Sequence, residues 1–196
     1  MNEQLRQELL AMREENIRVR NEVNRDSSPF AGYNPRVEEL ENRNATRLKE
    51  IIAEHGWPGR SLAGEDGTIA AWFIAQQAIG DPPFRHKALE LLREAHRQGE
   101  ASAIGAAYLE DSICMFEGRP QIYGTQFQPD DYGIFQPYPI ADPEHVNERR
   151  RALGMNTIEE RTRELQAGGK PEYNPEKRAE FERGYNEWLK KVGWRE

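Results

Sequence analysis

The sequence is poor in the features that usually announce an activity. Cys114 is its one cysteine, so no disulfide within the chain is possible, and its setting in Ile113-Cys114-Met115-Phe116 suits a small buried hydrophobe better than a nucleophile. No apolar run is long enough to span a bilayer, and the polar start Met1-Asn2-Glu3-Gln4-Leu5 has no secretory h-region. These absences point to the cytoplasm and away from a membrane. There is no GxxxxGK[ST] phosphate loop, no HExxH, no GxSxG and no cysteine pair for zinc. His86 and His96 are too far apart on one helix for a metal pair, so the expectation is no metal and no organic cofactor. Positive charge is also short: 27 basic residues against 34 acidic ones give a net charge of −7, the wrong sign for a chain that neutralises phosphate backbones. Nucleic acid is therefore not an expected partner. The cluster Arg149-Arg150-Arg151, flanked by Glu144, Glu148, Glu159 and Glu160, reads as a mixed-charge helix face.

The 196 residues allow one domain with a real core, and 31% charged against 37% hydrophobic residues implies much solvated helix surface. The periodicity is helical. Leu5, Leu9, Met12, Asn16, Val19 and Val23 fall on one stripe of a helix from Glu3 to about Asn24, with Asn16 a polar interruption. Asp26 to Pro29 ends that helix, Phe30 to Pro35 reads as a loop, and Pro35 opens a helix that stops at Gly56. The turn-rich stretch from His55 to Gly67 reads as irregular, followed by a buried helix from Thr68 to Ile79. Asp81-Pro82 caps a helix to about Gln98, and Glu100 to Phe116 forms another. From Gln121 the alternation suits an extended segment, with a second at Gly133 to Tyr138. Asp142-Pro143 and a Thr157/Glu160 capping box start two further helices, Gly168, Gly169 and Pro171 make a break, and Asn174-Pro175 leads into a last amphipathic helix. The expected fold is mainly α: a single-domain helical bundle with a short β-hairpin or extended segment around 121–138. Its core spans 1–168, and 169–196 packs back on it.

Polar residues in apolar segments mark the candidate site. Gln76 and Gln77 close the most apolar helix, where a buried amide must find donors and an acceptor. Asp111 precedes a hydrophobic tetrad and could move protons or pair with Arg119. Arg18 has the planar fork that holds a carboxylate or phosphate. Tyr123 and Thr125 would share one face of an extended strand, with Gln121 beside them, while Ile122, Gly124 and Gln126 take the other and Gly124 admits close backbone approach. The bland alternatives are a solvated helix end, a structural ion pair and a decorated edge strand.

The order Gly56-Trp57-Pro58, Ala71 to Ala78 (AWFIAQQA), Asp81 to Phe84 (DPPF), Ala107 to Asp111 (AYLED) and Gln121 to Gln126 (QIYGTQ) resembles an uncharacterised bacterial family, domain of unknown function 6624. The likeness covers about the first four fifths of the chain and is most specific at Tyr123 to Gln126. It implies a shared fold and a polar pocket, and supplies no reaction. The family pattern of Gln-His followed by Ala-Asp is here Gln76-Gln77-Ala78-Ile79, and its Asp-Arg is Asp111-Ser112. If the family's role needs that histidine, the activity is lost or changed.

The leading expectation is a cofactor-independent small-molecule enzyme of hydrolase or lyase type. Asp111, His55 and Tyr123 would act on protons, and Arg18, Gln76, Gln77, Gln121, Thr125 and Gln126 would hold a polar metabolite. The alternative is a non-catalytic binding, regulatory or immunity-type protein. Gly105 and its alanine neighbours serve helix packing within one chain or between the two copies of a homodimer.

Overall fold

The computed structural model describes residues 1–25, 33–130, 132–169 and 175–196. Eight α-helices run through them: α1 (Glu3–Arg25), α2 (Pro35–His55), α3 (Arg60–Gln77), α4 (Pro82–Arg97), α5 (Ala103–Phe116), α6 (Val146–Ala152), α7 (Ile158–Ala167) and α8 (Pro175–Val192). Strands β1 (Phe127–Pro129) and β2 (Phe135–Pro137) form an antiparallel hairpin with Gln128 opposite Gln136. The mainly α expectation, with a hairpin inside 121–138, holds. No helix of the described residues is long and apolar enough to cross a membrane.

The stripe on α1 turns inward as its spacing dictates. Leu5, Leu9 and Asn16 are buried, and α1 lies along α3 and α2. Acidic residues seven apart on α1 meet arginines of α2: Glu8 with Arg47 at 2.5 Å, Glu15 with Arg43 at 2.5 Å and Glu22 with Arg36 at 3.1 Å. These exposed pairs set register more than they add stability. The main core joins Leu9, Leu48, Ile51, Ile74, Leu92, Leu109 and Ile113 with Trp188, Leu189 and Trp194 of the C-terminal region.

That region is tied down by directional bonds. Trp188 Nε1 donates to Glu38 (2.9 Å), Trp194 Nε1 to the Ile79 carbonyl (2.7 Å) and Arg195 Nε to the Phe116 carbonyl (2.8 Å). Arg195 thereby occupies a carbonyl that the end of α5 leaves open. Cys114 is buried, as its neighbours implied, and burial pushes its thiol pKa up.

Three local expectations are corrected. The stretch from Arg60 to Gly67 is helical, broken only at Gly64 (φ 74°). A tertiary partner offsets its weak propensity: Glu100 accepts from the Ser61 amide (2.7 Å), and the Arg60 amide donates to the Glu100 carbonyl (3.0 Å). Asp142 does not cap a helix. Its residue is left-handed (φ 48°), its carboxylate takes His145 Nδ1 (2.8 Å) and Arg149 Nη1 (3.2 Å), and a 3-10 turn precedes α6. Third, α5 starts at Ala103, capped by Ser102, rather than at Glu100. The Asp81 cap and the Thr157/Glu160 capping box form as expected. The expected helix end at Asp26 to Pro29, the first residues of the expected loop at 30–32, and Pro171 of the expected break lie outside the described residues.

Candidate functional site

Segment 121–126 is not extended. Successive amides of a strand point to opposite sides, yet three of the amides in this stretch converge on one carboxylate. Asp111, fully buried on α5, accepts from Ile122 N (2.7 Å), Tyr123 N (3.0 and 3.2 Å) and Thr125 N (2.8 Å). Burial pushes the Asp111 carboxyl above its ordinary range, against the downward pull of these donors. Arginines take the carbonyls of the same loop. Arg149 Nε donates to Ile122 O (2.8 Å), and buried Arg150 donates through Nη1 to Tyr123 O (2.8 Å) and Gly124 O (3.2 Å). Arg150 also holds Asn156 through Nε (2.6 Å) and Nη2 (2.9 Å).

Gln121 closes the loop from within. Its Nε2 donates to Gln126 O (3.0 Å) and Tyr138 O (2.9 Å), and its Oε1 accepts from Gln126 N (2.9 Å). Gly124 sits at φ 67°, and a Cβ there would lie 2.6 Å from Ile158 Cδ1, so glycine serves backbone geometry and packing together. Tyr123 is half-buried, and its hydroxyl makes no hydrogen bond among the described residues; burial raises its pKa.

A second polar cluster is buried among α1, α2, α4, α5 and the C-terminal region. Glu41 of α2 accepts at Oε1 from Arg20 Nε (3.0 Å) and Asn16 Nδ2 (3.4 Å), and at Oε2 from the Tyr33 hydroxyl. Arg20 Nη2 also donates to Tyr33 (3.1 Å). Burial is the largest influence on Glu41 and raises its pKa despite Arg20; burial likewise raises Tyr33. Asn16 Oδ1 is a buried acceptor with no partner among the described residues. The Tyr33 ring stacks on Trp188 at 4.4 Å and approaches Tyr185 at 6.2 Å.

Arg85 of α4 completes this cluster. It is fully buried, its Nη2 donates to Ser112 Oγ, and its Nε and Nη1 have no acceptor among the described residues. Its Cζ lies 4.9 Å from the Phe116 ring centroid and 5.4 Å from that of Trp194, rings themselves 5.2 Å apart. Burial pulls its pKa down to about 9, opposed by Tyr185, Tyr33 and Glu41. Tyr185 links the two halves: burial pushes its phenol up to about 12, while Arg85, Arg20 and Glu41 all act on it.

A model described as a family of unknown function (DUF6624) matches residues 3–170. The chain belongs to that family. No curated protein and no solved structure matches it. In this DUF6624 chain, Tyr185, Trp188 and Trp194, which wall the second cluster, lie beyond the matched residues.

The residues singled out by sequence divide into groups. Asp111, Gln121, Tyr123, Thr125 and Gln126 come together in the anchored loop, where Gln126 Nε2 also donates to Thr125 Oγ1 (2.9 Å). Gln76 and Gln77 end α3, with no hydrogen bond joining them to that loop among the described residues; Gln76 Oε1 is a buried acceptor without a partner. His55 is exposed at the end of α2, 3.4 Å from Glu54. Arg18 is exposed and paired with Glu22 at 2.9 Å, beside an open trough of about 380 Å³ lined by Glu14, Ile17, Asn21 and Glu22 of the same helix.

Sequence reasoning missed Glu41, Arg85 and Arg150. Asn16 was the available signal for the first, a polar residue on an apolar stripe. Glu41, Arg85 and Arg150 look like ordinary surface charges in a chain that is 31% charged. Arg150 is turned away from the mixed-charge face expected of it because loop carbonyls offer it acceptors. Among the described residues no group of three or more His, Cys, Asp or Glu could hold a metal ion.

Proposed function

We propose that the chain is a small-molecule enzyme of hydrolase or lyase type, working in the bacterial cytoplasm on a polar metabolite at the Asn16-Arg20-Tyr33-Glu41 cluster. The observation that carries this reading is Glu41, a buried carboxyl held by a phenol and a guanidinium with its pKa raised by burial. Hydrolysis and elimination both need a group that gives and takes a proton, and a carboxyl whose pKa is raised by burial holds its proton to higher pH than a free one. Arg20 donates to both oxygen partners and keeps them in register, while Asn16 Oδ1 offers an acceptor to a substrate N–H or O–H. The anchored loop contributes rigidity: Asp111 and Gln121 direct their acceptors to backbone, which supports a positioning role for both.

The test is a thermal-shift screen of the full chain against pools of polar metabolites, followed by turnover assays on the hits, since a ligand of the folded state raises apparent stability. Glu41→Gln and Tyr33→Phe are expected to keep binding while turnover falls by about 100-fold or more. Unchanged turnover in both variants would overturn the assignment.

A further inference from the structure

The placement of Arg85 says more about the ligand than the proton-handling residues do. A guanidinium carries five N–H donors in a fixed plane and keeps its charge in proteins. Here Nη2 serves Ser112, whereas Nε and Nη1 face no acceptor although the whole side chain is shut off from solvent. Nη2 lies between the other two nitrogens and bears two hydrogens. Whichever hydrogen Ser112 takes, the remaining one pairs with the neighbouring free N–H to present a two-pronged edge. The aromatic corner of Phe116 and Trp194 packs against the cation, so the edge is the part left for recognition.

Charge narrows the class. Glu41, a carboxylate whose charge acts on Arg85, is already bonded to Arg20, Tyr33 and Asn16, and it makes no bond to Arg85. One buried cation therefore awaits one negative charge. A planar monoanion with two oxygens matches the fork and the charge together. A phosphate dianion would need a second cation, and Arg20 is held by Glu41 and Tyr33.

We propose that Arg85 anchors a carboxylate-bearing small molecule on the unpaired edge of its guanidinium, between α4, α5 and the C-terminal aromatic wall. This rests on the reading of the neighbouring Glu41 cluster as the functional site, and it assigns that site's substrate class.

Binding of acetate and succinate, with acetamide and inorganic phosphate as comparisons, is followed in the full chain by tryptophan fluorescence at constant ionic strength, because Trp194 packs on Arg85. The carboxylates should bind saturably, acetamide and phosphate should bind at least about tenfold more weakly, and Arg85→Met should lose the carboxylate response. Equal binding of phosphate, or a response that survives in folded Arg85→Met, overturns the proposal. If Arg85→Met does not fold, a crystal structure of the unaltered chain soaked in acetate decides. A carboxylate on Nε or Nη1 supports the assignment, and an ordered water or an adventitious ion only at those nitrogens overturns it. The two readings fail separately. Neutral metabolites turned over through Glu41, without Arg85-dependent carboxylate binding, would sink the anchor and spare the enzyme. Arg85-dependent binding with no Glu41-dependent turnover would do the reverse.

Discussion

Asp111→Asn is the most discriminating single change, because it alters the charge and one acceptor while keeping the shape. With the amide oxygen at the Oδ1 position, the contacts from Ile122 N (2.7 Å) and Tyr123 N (3.0 Å) survive. The new NH2 group then stands at the Oδ2 position, facing the Thr125 amide at 2.8 Å and the Tyr123 amide at 3.2 Å, donor against donor. Leaving a buried N–H without an acceptor costs about 1–3 kcal/mol, and a hydrogen bond to a charged group is worth about 1.5–3 kcal/mol. Against this, removing the charge relieves the burial penalty that raises the Asp111 pKa. The expected net loss is roughly 2–4 kcal/mol, or about 4–16 °C in Tm for a chain of this size. Asp111→Ala would strand all three amides and is expected to approach the whole stability of a domain, about 5–15 kcal/mol. Urea denaturation measures the loss, and hydrogen exchange locates it. Thr125 N–H should exchange faster while Ile122 N–H keeps its protection. An Asn variant within about 0.5 kcal/mol of the parent, with Thr125 still protected, would refute the anchored-loop reasoning.

Three other outcomes follow from the same geometry. Arg150→Lys leaves one nitrogen to cover the carbonyls of Tyr123, Gly124 and Asn156, so a loss of roughly 2–5 kcal/mol is expected in chemical denaturation; a neutral result would mean that the carbonyls find other donors. Gly124→Ala should lose about 2–4 kcal/mol through its positive φ and the contacts with Ile158 Cδ1 and Ile140 Cδ1, and adding Ile158→Val should recover only part of the loss, the share due to Ile158; full recovery would contradict a role for φ. For pH, Glu41 holds its proton to higher pH in the folded chain than in the unfolded one, where it titrates near about 4.3. Its stabilising share is therefore complete below the unfolded value and is lost as pH rises through the folded one. Urea midpoints of the parent should fall over that window relative to Glu41→Gln, and parallel curves would refute the raised pKa.

Helix existence was legible because it depends on local patterns. The stripe from Leu5 to Val19, the Asp81-Pro82 cap and the Thr157/Glu160 box each operate within one or two turns, and each forms. The misread elements depend on groups distant in sequence. Arg60 to Gly67 is helical because Glu100 caps it from the turn between α4 and α5, and Asp142 fails as a cap because Arg149 and His145 compete for its carboxylate. For the candidate site, Asn16 and Asp111 stood out because each interrupts an apolar run. Glu41 and Arg85 did not, since their burial comes from the packing of five segments.

By itself, then, the sequence determined the helical class, the hairpin region, the family and the special character of Gln121 to Gln126. Periodicity, caps and turn residues act over a few positions and leave a local record. Tertiary structure decided what the polar residues do: it set three amides on Asp111, buried Arg150 against loop carbonyls, and enclosed Arg85 beside Trp194. A charged side chain looks the same in sequence whether it ends in water or in the core. Its role is fixed by the dielectric and the partners that only the folded chain supplies.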